Sequence, residues 1–424
     1  MAHQASTLPA SPPLAPGLRW AGLAVVWFNV FIGAFVFSEP APYELMAVGV
    51  VASSFLFGLP FRAGVLPLLF LLMLFITGGM IAMFQTDYLY DASMYVAVSG
   101  FLAGTSLFYA CFLSGDPIRR GEMIFTAYLC GAIFAAFAGI IGYFDIAGTG
   151  ELFTRFGRAR GTFEDPNVLS PFLVPPVLWC VQKILRGPFR NMLIFGPPLA
   201  LMLFALLLSF SRGGWGHTAL SILILSSLWL FLARDARLSM RIVGFGFAGV
   251  VLIGVGLAAA LTVPQISDLM QDRASLSQDY DTGTLGRFGR HILGAELGLE
   301  RPYGIGALEF ARLFPEDPHN VYLNAAMSYG WLGFFSYVSL ILITLWRLFV
   351  TVMQRADLRE ISIPILAGFF PLTLMGTFID TDHWRHFYLM LGLAWGVIAT
   401  PDTRVRFRAL NPATRRDKAV PVGA

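Results

Sequence analysis

The sequence predicts an all-α integral membrane protein, and two observations carry that prediction. The 424 residues are 56% hydrophobic and only 13% charged, with a mean hydropathy of +0.68. About a quarter of the residues of a typical soluble domain are charged, so this chain lacks the polar groups that would cover a water-facing surface. The apolar residues also gather into runs of about 20, the length that an α-helix needs to cross a bilayer.

Twelve such runs predict about twelve transmembrane helices. They lie near 18–37, 43–59, 64–84, 93–114, 123–146, 168–185, 191–209, 213–232, 241–263, 331–353, 361–379 and 385–400. The one long connection, 264–330, falls between the ninth and tenth helices and is expected to contain short helices. The expected organisation is a disordered cytoplasmic tail over 1–17, a membrane domain over 18–400 and a basic cytoplasmic tail over 401–424.

The distribution of basic residues predicts the orientation. With the N-terminus in the cytoplasm, nineteen of the 29 Lys and Arg residues lie on the cytoplasmic side, which basic residues favour. The other ten are all arginines, and nine of them lie in the outer connections 147–170, 209–216 and 264–330. Because guanidinium groups bind oxyanions through several N–H donors, this cluster indicates an outer site for a phosphate-bearing ligand. The alternative is snorkelling, or pairing with the nearby acids Glu164, Asp165, Asp279 and Asp281.

The first candidate segment is 158–167, with the sequence RARGTFEDPN. Gly161 and the Asp-Pro-Asn triplet indicate turns, and Asn167 is expected to cap the following helix. Arg158 and Arg160 beside such a turn form a possible anion site, and a well-capped loop without a ligand is the alternative.

The second segment is 209–215, SFSRGGW, which separates two apolar runs. Arg212 lies near the membrane boundary, where a charge is costly unless it has a partner. Gly213 and Gly214 allow a ligand or backbone to approach closely. A helix that begins beside Ser211 would add N–H donors for an anion, whereas a plain hairpin is the alternative.

The third segment lies in the long connection and contains Arg287, Arg290 and His291, followed by DPHNVYL over 317–323. The second part reads as a helix start, with Asp317 as the cap, Pro318 as the first helical residue and His319 and Asn320 just after; the helix is expected to stop at Gly330. A histidine in the first turn lies at the positive end of the helix dipole. That position favours the neutral imidazole, which is able to accept a proton. A purely structural histidine is the alternative.

The last outer loop holds a further polar cluster. Its members are Asp380, Asp382, His383, Arg385 and His386. We interpret it as a polar loop with a substrate contact, and a metal site is the less favoured alternative. The three cysteines lie in apolar runs with no metal or disulfide spacing. The sequence shows no P-loop, nucleotide fingerprint, serine-hydrolase elbow or zinc-protease motif, which argues against an energy-coupled pump.

Taken in order, the motifs resemble a known family. They are RGTF at 160–163, DPN at 165–167, SRGG at 211–214, Gly286 and Arg287, Pro302, Gly304 and Gly306, HNVYL at 319–323, and Gly330 and Gly333. Over about 155–335 the chain resembles the O-antigen ligase and O-antigen polymerase superfamily. Family members often carry Trp at the position of His291 and Glu at that of Ser328. The histidine at position 291 weakens the alignment around Arg287, so Arg290 is the alternative candidate for the same role.

The resemblance implies a function and a set of site residues. Such proteins work at the periplasmic face of the bacterial inner membrane and have a fold similar to the C-type membrane glycosyltransferases. They move a glycan from undecaprenyl pyrophosphate to an acceptor sugar hydroxyl, on lipid A core or on a growing glycan, without a metal or another cofactor. His319 is expected to be the general base. The expected donor contacts are Arg160, Arg212, Arg287 and Arg290, and the expected positioning residues are Asn167, Ser211, Asn320 and Tyr322.

Direct attack by the acceptor hydroxyl would make this an inverting transferase. Two other function classes are alternatives to it. A secondary transporter or flippase would carry charges in mid-membrane and related halves, and the apolar runs hold few charges and no convincing repeat. A non-catalytic assembly subunit of a polysaccharide export system would tolerate the loss of Arg212, Arg287 or His319. The sequence does not separate a ligase from a polymerase, and it indicates membrane lipids but no nucleic acid as a partner.

Overall fold

The computed structural model describes residues 16–37, 41–57, 59, 61–263, 267, 286–314 and 316–401. Within these ranges fifteen α-helices form: α1 (Pro16–Ile32), α2 (Pro42–Phe57), α3 (Leu66–Ala82), α4 (Leu89–Gly115), α5 (Pro117–Tyr143), α6 (Gly150–Phe153), α7 (Pro166–Arg186), α8 (Arg190–Leu208), α9 (Arg212–Ala233), α10 (Ala236–Ala260), α11 (Arg287–Glu300), α12 (Phe310–Leu313), α13 (Val321–Gln354), α14 (Arg359–Met375) and α15 (Arg385–Ile398). Two short strands, β1 (Thr154–Arg155) and β2 (Arg158–Ala159), pair antiparallel. The tails predicted at 1–17 and 401–424 lie outside the described residues except at their inner ends, as do Arg273, Asp279 and Asp281.

Nine helices in the described part of the chain are long and apolar enough to cross a membrane. They are Ala63–Gln85, Leu89–Gly115, Pro117–Tyr143, Pro166–Arg186, Arg190–Leu208, Arg212–Ala233, Ala236–Gly256, Val321–Gln354 and Ala356–Met375. These helices confirm an all-α, multi-pass membrane protein. The three other predicted spans correspond to the shorter helices α1, α2 and α15, of 17, 16 and 14 residues. The count of twelve therefore stays a prediction.

The core is built where the most apolar helices pack on one another. Helix α3 lies along α13, α15 lies along α4, and α7 packs against α8, α9 and α14. Side chains over 171–180 in α7 are all buried, including the inner prolines Pro171, Pro175 and Pro176. Proline is tolerated in a membrane helix because neighbouring helices satisfy the freed backbone groups.

Four connecting regions meet at one end of the bundle, and we call this end the loop end. It consists of residues 158–167, 209–214, 316–324 and 376–384, which lie at the starts of α7, α9 and α13 and beyond the last residue of α14. Hydrogen bonds join these regions in pairs: Arg158 Nε donates to the Ser209 carbonyl (2.7 Å), and the Val321 amide donates to the Gly376 carbonyl (2.8 Å). The opposite ends of the same helices, around Arg186, Ala233 and Arg359, form the far end, where these residues line one cavity.

Helix α13 has a kink at Gly330, the residue where the sequence predicted a stop. The backbone there has φ +64° and ψ −173°, a conformation open to glycine and very costly for other residues. The loop before it satisfies the freed groups: the amide of Trp331 donates to the Pro302 carbonyl (2.9 Å), and the amide of Ile305 donates to the Met327 carbonyl (2.8 Å). The helical backbone is therefore interrupted at Gly330, where the sequence predicts the stop, and helical residues continue beyond the kink.

Candidate active site

The start of α13 differs from the prediction. Asn320 is the N-cap, and its side-chain oxygen accepts hydrogen bonds from the amides of Tyr322 (3.0 Å) and Leu323 (3.2 Å). The prediction of Asp317 as the cap and Pro318 as the first helical residue is wrong, because the Asn320 side chain captures two amides and fixes the start at Val321. His319 thus precedes the cap instead of lying in the first turn. The helix dipole then acts on it less directly than expected.

His319 lies between two carboxylates. Its Nδ1 is 3.6 Å from Asp380 Oδ2, and its Nε2 is 3.8 Å from Glu316 Oε2. The backbone of His319 is left-handed, with φ +51°, a conformation that is uncommon outside glycine and is often found at functional sites. The side chain is 37% exposed, so the ring is accessible from outside the protein. A carboxylate beside an imidazole orients the ring and stabilises the charge that it gains with a proton.

Burial raises the pKa of Asp380, while the nearby His319 imidazole opposes that rise and the charge of Asp382 adds to it. Burial also raises the pKa of Asp317, and Asp380 adds to the rise. Among the described residues, Asp380 Oδ1 is buried with no hydrogen-bond partner. The ionised form of Asp380 is therefore costly, and a protonated His319 is the neighbour able to reduce that cost.

Arg290 holds the loop that carries His319. Its side chain is only 3% exposed, and Nη1 donates to Glu316 Oε2 (2.8 Å) and to the Asp317 carbonyl (3.1 Å). A buried arginine with such partners fixes a loop more directly than it binds a ligand. The structure thus places Arg290 behind the histidine, where it supports Glu316.

Arg287 lies in the first turn of α11, after Gly286 as N-cap. The start of α11 packs against the loop that carries His319, because Arg290 Nη1 in α11 donates to the Asp317 carbonyl (3.1 Å). Burial lowers the pKa of His291, the Pro318 carbonyl opposes this, and the charge of Arg287 lowers the pKa further. Arg287 and His319 therefore lie in one region of the structure.

Arg212 is the first residue of α9, and Ser211 is its N-cap, with Oγ accepting from the Gly214 amide (3.3 Å). The predicted helix start at this segment is confirmed. Gly213 faces the last residue of α14, since an added Cβ would lie 3.3 Å from Met375 Sδ. The next residue, Gly376, accepts a hydrogen bond from the amide of Val321 (2.8 Å).

The starts of α9 and α13 consequently meet at the same corner of α14. The positive ends of these two helix dipoles give that corner a positive potential, which suits an anion. Tyr322 contributes to this packing, because its hydroxyl donates to the Thr373 carbonyl (2.8 Å). The predicted positioning residue Tyr322 is thus anchored to α14.

The first predicted segment is organised by Arg158, whose side chain is 6% exposed. Its Nε donates to the Ser209 carbonyl (2.7 Å), and Nη2 donates to Asn167 Oδ1 (2.8 Å). Arg160 instead donates to the Leu152 carbonyl (3.2 Å). No local pattern distinguishes these two arginines in the sequence, so the role of Arg158 was missed.

The N-cap of α7 also differs from the prediction. Asp165 is the N-cap, and its Oδ1 accepts from the amide of Asn167 (2.7 Å). The prediction of Asn167 as the cap is wrong, because Pro166 takes the first helical position and places Asp165 immediately before the helix. The Asn167 side chain therefore does not cap the helix, and its Oδ1 accepts a hydrogen bond from Arg158 Nη2 instead.

A buried polar network lies beside this site. Asp382, which is 4% exposed, accepts hydrogen bonds at Oδ2 from Tyr95 Oη (2.7 Å) and Asn324 Nδ2 (3.1 Å). Asn324 Oδ1 in turn accepts from Ser328 Oγ (2.7 Å). The network ties the first turns of α13 to the 376–384 loop and to α4. Sequence reasoning gave Tyr95 and Asn324 no role, because each lies as a single polar group in an apolar helix.

The polar cluster predicted at 380–386 is divided among different partners. Asp380 faces His319, Asp382 joins the buried network, and His383 Nε2 lies 2.8 Å from Ser99 Oγ. Arg385 is paired with Glu44. Over the described ranges, no group of three or more His, Cys, Asp or Glu side chains forms a possible metal site.

The comparisons with known proteins bear on the same region. No curated protein matches the chain. The sequence model of the family described as O-Antigen ligase matches residues 197–338, from α8 into α13. That segment includes Arg212, Arg287 and His319, while Asp380 lies beyond it. The match over residues 197–338 supports the resemblance of this part of the chain to the O-antigen ligase and polymerase superfamily.

Proposed function

We propose that this protein is an inverting membrane glycosyltransferase that joins a glycan from undecaprenyl pyrophosphate to a sugar hydroxyl of lipid A core. The reaction would take place at the loop end, facing the periplasm, with both termini in the cytoplasm and about twelve spans in the inner membrane. The observation that carries the proposal is the His319–Asp380 pair beside Arg287 and the two helix starts of α9 and α13.

In the proposed reaction His319 takes the proton from the acceptor hydroxyl. The hydroxyl oxygen then forms a bond to the anomeric carbon on the face opposite the pyrophosphate, and the bond between that carbon and the pyrophosphate oxygen breaks. The electron pair leaves with the pyrophosphate. Asp380 stabilises the imidazolium that results, as a carboxylate does beside a catalytic histidine.

Arg212 and Arg287 are the proposed ligands of the pyrophosphate. Negative charge grows on the leaving group as the bond breaks, and donors aimed at that charge stabilise the transition state more than the ground state. The amides at the start of α9 would add to this stabilisation. Ser211 and Arg160 are proposed as further donor contacts at the same face. No metal is needed in this scheme, because guanidinium groups supply the positive charge.

Arg290, Asn320, Tyr322 and Asn167 are proposed as positioning residues. Arg290 holds Glu316 and the Asp317 carbonyl, while Asn320 caps α13 directly after His319. Tyr322 anchors the same turn to α14, and Asn167 receives Arg158. Their loss would misplace His319 or the anion site instead of removing a reacting group.

A polymerase that extends a glycan repeat is the second candidate, since the family match covers both types. The chemistry would be the same, and only the acceptor would differ.

The test is transfer by the purified protein in detergent, without added metal or nucleotide, from an undecaprenyl-pyrophosphate glycan. Lipid A core and a glycan oligomer are offered in parallel, and the acceptor that is used distinguishes ligase from polymerase. Arg212→Ala is expected to lose transfer, while Arg190→Ala, an exposed arginine at the start of α8, is the matched control. Full activity of Arg212→Ala would refute the anion-site assignment. Transfer to neither acceptor by the wild type would favour a transport or assembly role.

A further inference from the structure

The far end holds a cavity that the proposed reaction does not use. It has a volume of about 310 Å³ and lies where α7, α9 and α14 end or begin, remote from His319. Its lining comprises Arg186, Trp229, Leu232, Ala233, Asp235, Ala356, Arg359 and Glu360. The volume falls at the lower limit of small-ligand sites, which span about 300–1,000 Å³.

Two arginines that line this cavity have N–H groups with no hydrogen-bond acceptor among the described residues. Arg186 uses Nε to bind Glu360 Oε1 (2.6 Å), and its guanidinium lies 3.9 Å from the centre of the Trp229 ring. Within the described chain its two terminal nitrogens have no hydrogen-bond acceptor. Arg359 directs Nε and Nη2 to the carbonyls of Val352 (3.1 Å) and Met353 (3.0 Å). Its Nη1 likewise has no acceptor among the residues that the structure describes.

Other contacts hold these arginines in place. The backbone carbonyl of Glu360 accepts a hydrogen bond from Gln182 Nε2 (2.7 Å), and Gln182 Oε1 accepts one from Trp229 Nε1 (2.9 Å). Arg186, Trp229, Gln182 and Glu360 therefore form one connected set. Stacking on Trp229 and pairing with Glu360 already restrict the Arg186 side chain. Binding of a phosphate by its terminal nitrogens therefore costs less side-chain entropy than it would for an unrestrained arginine.

The cavity carries both signs of charge, since Asp235 and Glu360 line it with the two arginines. One oxygen of Asp235 accepts from the Arg237 amide (2.9 Å), and Glu360 is 41% exposed. A free phosphate would meet repulsion from these carboxylates. A ligand that carries both a phosphate and an ammonium group would complement the arginines and the carboxylates of the cavity.

The location also suits a lipid. Cation–aromatic pairs lie at this end of the helices, with Lys183 over Trp179 (4.3 Å), Arg186 over Trp229 and Arg347 over Trp395 (5.3 Å). Tryptophan and basic residues mark the membrane–water interface, where lipid headgroups lie.

We propose that this far-end cavity binds the headgroup of a phosphatidylethanolamine, with the phosphate on Arg186 and Arg359 and the ammonium on Asp235 and Glu360. The lipid belongs to the leaflet opposite the proposed active site.

The test uses the full chain purified in detergent and titrated with short-chain phosphatidylethanolamine, with phosphatidylcholine, or with inorganic phosphate, while thermal unfolding is followed. Phosphatidylethanolamine is expected to raise the Tm saturably, because a ligand of the folded state stabilises it. Phosphatidylcholine is expected to bind less tightly, since its quaternary ammonium has no N–H to donate. Arg186→Gln and Arg359→Gln are each expected to raise the apparent Kd by about tenfold.

Two further variants keep the result interpretable. Ala356→Trp fills the cavity and removes no charge, and it is expected to weaken binding as the arginine variants do. Arg190→Gln lies at the same end outside the cavity lining and is expected to bind like the wild type. An equal Kd in the wild type, Arg186→Gln and Ala356→Trp would overturn the proposal. Equal affinity for phosphatidylcholine, or for inorganic phosphate alone, would overturn the assignment to an ethanolamine lipid.

Discussion

The Nδ1 atom of His319 lies 3.6 Å from the Oδ2 atom of Asp380, although 60 residues of chain separate them. The two residues come from loops that meet because the amide of Val321 donates to the carbonyl of Gly376. This pair gives the proposed base a carboxylate that orients it.

The first prediction concerns the carboxylate. Asp380→Asn is expected to lower kcat for glycan transfer by about 10²-fold, because the neutral amide does not stabilise the imidazolium. The KM for either substrate should change little. Steady-state kinetics on the purified variant measure both constants, and Asp357→Asn, an exposed acid at the far end, is the control. An unchanged kcat would show that Asp380 has no part in the proton transfer.

The same substitution should have the opposite effect on stability. Burial raises the pKa of Asp380 in the folded protein, so its contribution to stability is fully present below the pKa of the unfolded chain and is lost as pH rises through the folded pKa. At neutral pH the wild type bears the cost of the ionised form, which Asp380→Asn avoids. The variant is expected to have the higher Tm at about pH 8 and an equal Tm at about pH 3, below the ordinary pKa of Asp. A lower Tm at pH 8 would contradict this.

Gly330→Ala tests the kink in α13. The residue has φ +64°, and an added Cβ would lie 2.8 Å from the Pro302 carbonyl oxygen. We expect a loss of about 1–3 kcal/mol in the free energy of unfolding, measured by denaturant titration in detergent. Gly104→Ala is the matched control, since it lies in α4 with nothing within 4 Å of an added Cβ. Equal stability of the two variants would mean that the kink does not require glycine.

Tyr95→Phe tests the buried network around Asp382. The substitution removes the donor that reaches Asp382 Oδ2 at 2.7 Å, which leaves a buried carboxylate with fewer hydrogen bonds. The expected cost is about 1–3 kcal/mol in unfolding free energy, together with a lower transfer rate from the displaced loop. Tyr90→Phe, at a 76% exposed position, is expected to behave like the wild type. A neutral Tyr95→Phe would indicate that the network does not hold the loop.

The features that the sequence predicts correctly are those that depend on local sequence pattern. Apolar runs of membrane-spanning length gave the long helices, and Ser211 gave the start of α9, because length and capping are short-range properties. Asn320 and Asp165 were missed as caps because several residues suitable for capping stand side by side, and only the folded backbone decides among them. The partnership of His319 with Asp380 depends on the packing of α13 against α14, which no local signal encodes.

The central claim is that His319 accepts the proton of the acceptor hydroxyl. The most direct measurement is the kcat of His319→Ala for glycan transfer, with donor binding measured separately on the same folded sample. We predict that kcat falls by about 10²- to 10⁴-fold, the usual contribution of a general base, while the Kd of the undecaprenyl-pyrophosphate donor stays unchanged. A wild-type kcat in His319→Ala would contradict the account.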